Sequence, residues 1–212
     1  MGGIERSAER DQAVAATLPH VALDGWTTKA LRAGLADAGF DPADLTLVFP
    51  RGPIEAIEVW CDLADRRMAE AVGALDLASM RVRDRVTAAI RLRLEQNAGY
   101  REAAARATAL LALPHNASVA ARITARTVDA IWRAIGDRSA DFSWYTKRAS
   151  LAAIYGATML YWLRDDSEGA EATLRFLDRR IEAIMLIPKV QRRLRELPAR
   201  LPDPCGLLGR FR

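Results

Sequence analysis

Helical periodicity runs through almost the whole chain, and no other feature constrains the fold as strongly. Apolar residues recur at intervals of three and four, whereas the alternating, β-branched pattern of strands is absent. The sequence therefore predicts an all-α bundle. About ten helices are expected, over residues 6–22, 28–38, 42–48, 53–72, 76–97, 100–112, 117–135, 142–164, 168–187 and 189–197.

Length and composition narrow the class of protein. The chain has 212 residues, of which 50% are hydrophobic and 27% charged, so it is neither disordered nor collagen-like. Cys61 and Cys205 lie far apart, and the N-terminus has no apolar leader, which argues against a disulfide-stapled secreted protein. A single domain in a reducing cytoplasm is expected.

One stretch of the sequence lacks charge altogether. Residues 149–163 are bracketed by Arg148 and Arg164 and fall short of the roughly 18 to 20 residues that span a bilayer. Because this stretch has no polar face, it predicts a helix surrounded by the others at the centre of the bundle. By contrast, residues 117–135 place Thr124, Val128 and Ile131 on an apolar stripe opposite a charged one.

The first fifty residues predict a helix-turn-helix unit. Thr27 is a good N-cap for one helix and Asp41, followed by Pro42, for the next. Residues 6–50 resemble the N-terminal part of TetR-type regulators. This divides the chain into a helix-turn-helix-like part (6–50), a helical bundle (51–187) and a C-terminal segment (188–212).

The unit lacks the side chains that read DNA. A recognition helix needs donors for base edges and cations for phosphates, but this one offers Asp41, Asp44 and Thr46. Residues 26–50 hold two cations, Lys29 and Arg32, against three aspartates, a net charge of −1. The sequence therefore predicts no nucleic-acid partner and a helix pair kept for packing.

Motifs for catalysis are missing as well. His20 and His115 are the only histidines, and neither follows the spacing of a carboxylate-bridged di-metal site. The glycine-rich and nucleophile motifs of nucleotide-binding proteins and hydrolases are also absent. We therefore expect no catalytic residue, metal or cofactor, although an enzyme without a recognisable motif remains an alternative.

Residues 137–148 (DRSADFSWYTKR) concentrate aromatic side chains at a helix start. Asp141 can cap the helix, so that Phe142, Trp144 and Tyr145 spread around its first turn and cannot all face one core. At least one of them should reach the surface, where Trp and Tyr beside Lys147 have the composition of an interface. Packing beneath the preceding loop is the alternative.

This segment also carries a family resemblance, together with RASLAAIYGATMLYWL, LDLASMRVRDRV and TLRFLDRRIEAIM. Residues 8–187 resemble the ubiquinone-biosynthesis accessory proteins with a TetR-like fold, although Ser143 stands where that family usually has an asparagine. The resemblance implies binding of isoprenoid lipids or quinone intermediates and assistance to a di-iron demethoxyubiquinone hydroxylase. The family's partner patch maps onto Trp144 and Tyr145, and we add Asp141 and Lys147 to the expected partner site.

The expected lipid site lies in the bundle. Tyr155, Met159 and Trp162 of the apolar stretch, with Ile131 of the preceding helix, can line a space for a chain-like ligand. From the residues alone they can equally fill a dry core, and it is the resemblance that favours a pocket.

The C-terminal segment carries the excess of positive charge. Residues 189–212 hold seven Lys and Arg against two acidic residues, a net charge of +5, which leaves −1 for the rest. After Pro188, apolar and basic positions alternate with helical period, typical of a helix that lies on an anionic membrane. The resemblance implies the same, and packing against the bundle is the alternative. The expected membrane-binding residues are Lys189, Val190, Arg192, Arg193, Leu194 and Leu197.

Together these features predict a non-catalytic lipid-binding accessory protein, peripheral at the inner membrane on the cytoplasmic side. A homodimer is expected, with the hydroxylase and an anionic membrane surface as further partners. The alternative function is a TetR-type, ligand-sensing transcriptional regulator, which would share the fold and the pocket.

The location of the charge generates a first prediction. Deleting residues 188–212 should abolish binding to anionic liposomes while leaving the helical melt nearly unchanged, as measured by vesicle sedimentation and circular dichroism. Salt should weaken binding of the intact chain, because dissolved ions limit the reach of the attraction between surface charges to about 8 Å at physiological ionic strength. Undiminished binding by the truncated chain would place the membrane site elsewhere.

Overall fold

The predicted all-α architecture is confirmed in the part of the chain that the computed structural model describes: residues 4–137 and 142–196, with side chains for 4–137 and 145–183. Within these ranges there is no strand, and five short 3-10 turns connect nine α-helices. These are α1 (Ala8–Asp24), α2 (Thr28–Asp37), α3 (Leu45–Val48), α4 (Pro53–Gly73), α5 (Val82–Gln96), α6 (Arg101–Leu111), α7 (Ala117–Ala134), α8 (Phe142–Trp162) and α9 (Glu171–Glu196).

The predicted helices differ most from the structure at three places. The helix expected from residue 76 begins only at Val82, because Met80 and Arg81 adopt extended backbone conformations. The helix expected over 42–48 is a 3-10 turn followed by the single turn α3. Pro188 does not separate two helices, since α9 continues through it. A proline inside a helix removes one backbone hydrogen bond and bends the helix without always ending it.

The centre of the bundle is α4, and the prediction that residues 149–163 form the central helix is wrong. Helix α4 packs against α1, α2, α5 and α7, whereas α8 packs mainly against α7 and α9. On α8, Leu160 and Tyr161 leave 58% and 39% of their surface exposed. The helix with the uncharged stretch therefore lies at the edge of the bundle, and the helix with the row of carboxylates lies in its middle.

Burial of α4 is possible because its charges are paired. Four carboxylates spaced at i, i+3, i+7 and i+10 form a buried acidic row on one face: Glu55, Glu58, Asp62 and Asp65. Arginines contact these carboxylates, and all of them except Arg66 come from outside α4. The pairs are Arg10 with Glu55, Arg51 and Arg122 with Glu58 (2.8 and 2.9 Å), Arg6 and Arg66 with Asp62 (2.7 and 3.0 Å), and Arg93 with Asp65 (2.8 Å). These pairs attach α1, α5 and α7 to α4.

The helix-turn-helix unit forms as its capping residues predict. Thr27 accepts a hydrogen bond from the Ala30 amide at 3.3 Å, and Asp41 accepts one from the Ala43 amide at 2.8 Å. Helices α1 and α2 cross closely at Gly34. A Cβ atom built on Gly34 would lie 2.6 Å from the Cα of Thr17, so this crossing requires glycine.

The turn between α8 and α9 is fixed by one carboxylate. Asp165 accepts hydrogen bonds from the amide and hydroxyl groups of Ser167 and of Thr173, at 2.6 to 2.9 Å. Burial acts to raise the pKa of Asp165, but these hydrogen bonds outweigh it and hold the pKa well below its usual range. Ionised Asp165 therefore caps the start of α9.

The α1–α2 crossing generates a stability prediction. Gly34→Ala should lower the free energy of unfolding by about 2 kcal/mol or more, because the new methyl group meets backbone that cannot move aside easily. Urea denaturation followed by circular dichroism measures the change. Gly73→Ala is the matched control, since nothing lies within 4 Å of a Cβ atom there. Equal stability of the two variants would contradict the close crossing.

Candidate functional site

A largely apolar cavity of about 380 Å³ lies between α4, α5, α6, α7 and α8. Its volume falls in the range of small-molecule sites in proteins. The lining consists of Trp60, Cys61 and Ala64 of α4; Arg93, Leu94 and Asn97 at the end of α5; Ala104, Ala107, Thr108, Leu111 and Ala112 of α6 and its end; Ala120, Ile123 and Thr124 of α7; and Tyr155, Gly156, Met159, Leu160 and Trp162 of α8.

Small side chains leave the space open. Helix α6 turns alanines towards the interior, with Ala104 and Ala107 both 4% exposed, and α7 and α8 contribute Ala120 and Gly156. Larger residues at these positions would close the gap between the helices, because protein interiors otherwise pack to nearly uniform density. The alanine-rich sequence of α6 is thus the source of the cavity.

Three of the four predicted lipid-binding residues line this cavity. Tyr155, Met159 and Trp162 lie together on α8, whereas Ile131 is fully buried and is not part of the lining. Ile131 shares a face of α7 with Thr124, which does line the cavity, but it lies two turns further along the helix. That distance is about 10.5 Å, which takes Ile131 beyond the cavity and into the core.

Sequence reasoning missed the contributions of α4 and α5. Trp60, Arg93 and Asn97 all line the cavity, and none was predicted there. In the arginine-rich α5, Arg93 looks like one more solvated cation. A signal was nevertheless present, because Arg93 follows Val86 and Ile90 on the apolar stripe at i, i+4 and i+7.

A polar cluster interrupts the apolar lining. The Nε of Arg93 donates a hydrogen bond to one oxygen of Asp65 at 2.8 Å, and the Thr127 hydroxyl donates to the other at 2.9 Å. The guanidinium carbon of Arg93 lies 5.4 Å from the centre of the Tyr155 ring. The cluster therefore joins α4, α5, α7 and α8 at one part of the cavity wall.

Burial controls the protonation of the neighbouring groups. It raises the pKa of the Cys61 thiol to about 11 and also raises the pKa of the Tyr155 hydroxyl. Both groups stay protonated at neutral pH, so that Cys61 is a poor nucleophile and Tyr155 is a hydrogen-bond donor. The same burial raises the pKa of Asp65, against the opposing effect of Arg93 and Thr127. This arrangement can hold a ligand by hydrogen bonds.

The predicted partner segment is described in part. Tyr145 leaves 69% of its surface exposed in the first turn of α8. The Lys147 ammonium group lies 3.3 Å from the Asp137 carboxylate and 5.5 Å from the centre of the Trp132 ring. Asp141 and the side chain of Trp144 lie outside the described residues. Tyr145 is the one aromatic residue of this turn whose side chain is described, and it lies at the surface.

The predicted membrane-binding residues fall on the end of α9 and beyond. The backbone is helical to Glu196, but the side chains of Lys189, Val190, Arg192, Arg193 and Leu194, and all of Leu197, lie outside the described part. Within the described part, each helix falls short of the length and apolarity needed to cross a membrane. No group of three or more potential metal ligands comes together there either.

Comparison with known sequences shows which proteins the chain is similar to. The sequence model of the COQ9 family matches residues 117–188, which include the cavity-lining part of α8. The protein named ubiquinone biosynthesis protein COQ9, mitochondrial, from Drosophila melanogaster is 35% identical over 184 residues, or 84% of this chain and 56% of that protein. The Homo sapiens protein of the same name is 31% identical over 201 residues, or 92% of this chain and 62% of that protein. The chain thus spans less than two thirds of the length of these relatives.

Comparison with solved structures identifies the fold. A TetR transcriptional regulator from Nitrosomonas europaea ATCC 19718 superposes with a TM-score of 0.66 at 24% identity, covering 84% of this chain and 98% of that one. At this identity the match establishes the fold alone. The resemblance inferred from the sequence is therefore confirmed, and the chain is a relative of the COQ9 ubiquinone biosynthesis proteins, with a TetR-like fold.

Proposed function

We propose that the chain is a non-catalytic accessory protein of ubiquinone biosynthesis that binds an isoprenoid quinone intermediate and presents it to the di-iron demethoxyubiquinone hydroxylase. The apolar cavity is the observation that carries this proposal. It offers a site for an isoprenoid tail within a protein related to COQ9. Burying such a chain stabilises the complex by about 0.8 kcal/mol per methylene group. Tyr155, Met159 and Trp162 are the proposed contacts.

The start of α8 is the proposed docking surface for the hydroxylase. The exposure of Tyr145 supports this role, because large aromatic side chains at the surface are the usual anchors of protein interfaces. Trp144, Asp141 and Lys147 complete the proposed surface. The ion pair between Lys147 and Asp137 supports it further, since it attaches the second turn of α8 to the residues that follow α7.

We propose two further associations. The basic end of α9, from Lys189 onwards, rests on an anionic membrane surface and keeps the protein peripheral to the membrane. A homodimer forms through α8 and α9, which is supported by the exposed apolar side chains Leu160 and Tyr161 on α8. The membrane association would place the cavity close to membrane-bound components of the pathway.

The alternative, a DNA-binding regulator, is disfavoured by the surface of the helix-turn-helix unit. Asp37, Asp41 and Asp44 are exposed there, and Leu47 leaves 78% of its surface exposed on α3. The carboxylates repel phosphate, and the leucine side chain offers no hydrogen bond to a base edge. No observation on the described residues favours the regulator over the lipid carrier.

If the cavity holds lipid, the purified protein should contain it, and a larger side chain in the cavity should exclude it. Protein purified from quinone-producing cells should release isoprenoid quinone intermediates on organic extraction, as detected by mass spectrometry. Ala107→Leu places a larger side chain in the cavity and should reduce the extracted lipid about tenfold. Ala109→Leu is the matched control, because Ala109 lies exposed on the same helix outside the lining.

Two results would overturn this part of the proposal. Absence of isoprenoid lipid above background in the unmodified protein would remove the carrier function. Equal lipid content in Ala107→Leu and in Ala109→Leu, with both variants folded by circular dichroism, would place the lipid outside the cavity.

The aromatic surface predicts a separate effect on partner binding. Tyr145→Ala and Trp144→Ala should each weaken capture of the hydroxylase by about 2 kcal/mol, the cost of losing an interface hot spot. Tyr145→Ala should leave the thermal melt almost unchanged, because the side chain is exposed. If Trp144 is part of the core instead, Trp144→Ala should cost about 3 to 5 kcal/mol of stability.

A pull-down beside a thermal melt separates these outcomes. Leu47→Ala is the control, since Leu47 is equally exposed but lies on α3. A destabilised Trp144→Ala variant that still captures the hydroxylase would remove Trp144 from the interface. Full capture by both Trp144→Ala and Tyr145→Ala would contradict the proposed docking surface.

A further inference from the structure

Three large polar side chains lie in the wall of a mostly apolar cavity, in addition to the small hydroxyl groups of Thr108 and Thr124. Arg93, Asn97 and Tyr155 are 6%, 9% and 8% exposed, and each belongs to the lining. On the opposite side, α6 and α7 contribute mainly alanine, leucine and isoleucine. The cavity is therefore asymmetric, with polar groups concentrated on α5 and α8.

These polar groups retain hydrogen-bonding capacity that the surrounding side chains do not use. Among the described residues, the guanidinium group of Arg93 donates from Nε to Asp65 and interacts with the Cys61 thiol, a weak acceptor, so it keeps donors without a strong acceptor. The Tyr155 hydroxyl likewise makes no hydrogen bond to the described residues, and Asn97 uses only its amide nitrogen, donating to the Arg93 carbonyl at 2.7 Å. These side chains line the cavity and their unused donors are not sealed inside the protein, so they can donate to an acceptor that enters the cavity.

The charge around Arg93 restricts what that acceptor can be. Asp65 already pairs with the guanidinium group at 2.8 Å, and its side chain is only 4% exposed. A carboxylate or phosphate in the cavity would bring a second anion beside Asp65, at a high cost in a buried site. A neutral oxygen accepts the same hydrogen bonds without that repulsion.

We propose that Arg93 and Tyr155 form a polar subsite that binds a neutral carbonyl oxygen of an otherwise apolar ligand, such as a quinone ring oxygen, and thereby sets the direction in which the ligand lies. This inference rests on the proposed function. The ring is held at α5 and α8, and the isoprenoid chain extends along the alanine-rich side of the cavity. The polar subsite selects neutral quinone-type lipids over fatty acids and phospholipids.

Three probes with the same geranyl tail test the subsite: a geranyl-substituted 1,4-benzoquinone, geranylbenzene and 4-geranylbenzoate. Binding of the quinone is followed through quenching of the fluorescence of Trp60 and Trp162, which line the cavity. Geranylbenzene and 4-geranylbenzoate are weaker quenchers, so their affinities are measured by competition with the quinone. The quinone should bind about tenfold more tightly than geranylbenzene, since hydrogen bonds to a charged donor are stronger than neutral ones. The benzoate should bind no more tightly than geranylbenzene.

Two substitutions locate the effect at the subsite. Tyr155→Phe should weaken binding of the quinone about 3- to 10-fold and leave geranylbenzene unchanged, because only a hydroxyl group is lost. Tyr161→Phe is the matched control on the same helix, since Tyr161 stacks on Phe176 outside the lining and should change neither affinity. Arg93→Lys keeps the charge beside Asp65 but removes the planar donors, and it should also weaken quinone binding selectively.

The outcomes distinguish failure of the proposed function from failure of the polar subsite alone. Failure of all three probes to bind would overturn the proposed function together with the subsite. Equal affinity for the quinone and geranylbenzene would overturn the subsite alone and leave the cavity as a lipid site. The subsite would also be overturned if the benzoate bound most tightly, or if Tyr155→Phe weakened quinone and geranylbenzene equally.

Discussion

The buried acidic row of α4 is the feature on which the rest of the structure depends. Four carboxylates lie inside the bundle, and each one contacts at least one arginine from another element. An unpaired charge at such a depth costs several kcal/mol, so that removing one partner of a buried pair typically destabilises a protein by about 3 to 5 kcal/mol. The row therefore requires α1, α5 and α7 to take fixed positions around α4, and Arg6 and Arg10 extend this requirement to the helix-turn-helix unit.

The same row accounts for the chemistry of the cavity. Asp65 is its last member, and it holds Arg93 against the cavity wall at a place where an arginine alone would be expelled to solvent. Because the ion pairs fix the positions of α4, α5 and α7, the alanines of α6 can leave a gap without collapse of the bundle. The acidic row of α4 thus positions the polar part of the cavity wall and holds apart the helices around the apolar part.

Local patterns in the sequence predicted the helices and their caps. The burial of each helix and the lining of the cavity depend on contacts between distant residues, which those patterns do not show. Thr27 and Asp41 cap helices as expected, since capping depends on a few adjacent residues. The central position was predicted for residues 149–163, because they lack charge, and the central position of α4 was not predicted, because pairs such as Arg6 with Asp62 join residues 56 positions apart. The same dependence on distant contacts explains the outcome at the cavity. Tyr155, Met159 and Trp162 line the cavity as predicted, whereas Ile131 does not, and Arg93 lines it without having been predicted there.

Helix α8 connects the two functional surfaces proposed for this chain. Its first turn carries the exposed Tyr145, and Tyr155 lies ten residues later in the cavity wall, about 15 Å along the same helix. Arg148, which lies between them, pairs with Asp129 of α7 at 2.7 Å, so the intervening turns are attached to the bundle. A partner bound at Tyr145 therefore stands at a fixed distance from a ligand bound at Tyr155. Presentation of a ligand requires this geometry, because a carrier and an enzyme can exchange an apolar molecule only when their sites are held close together.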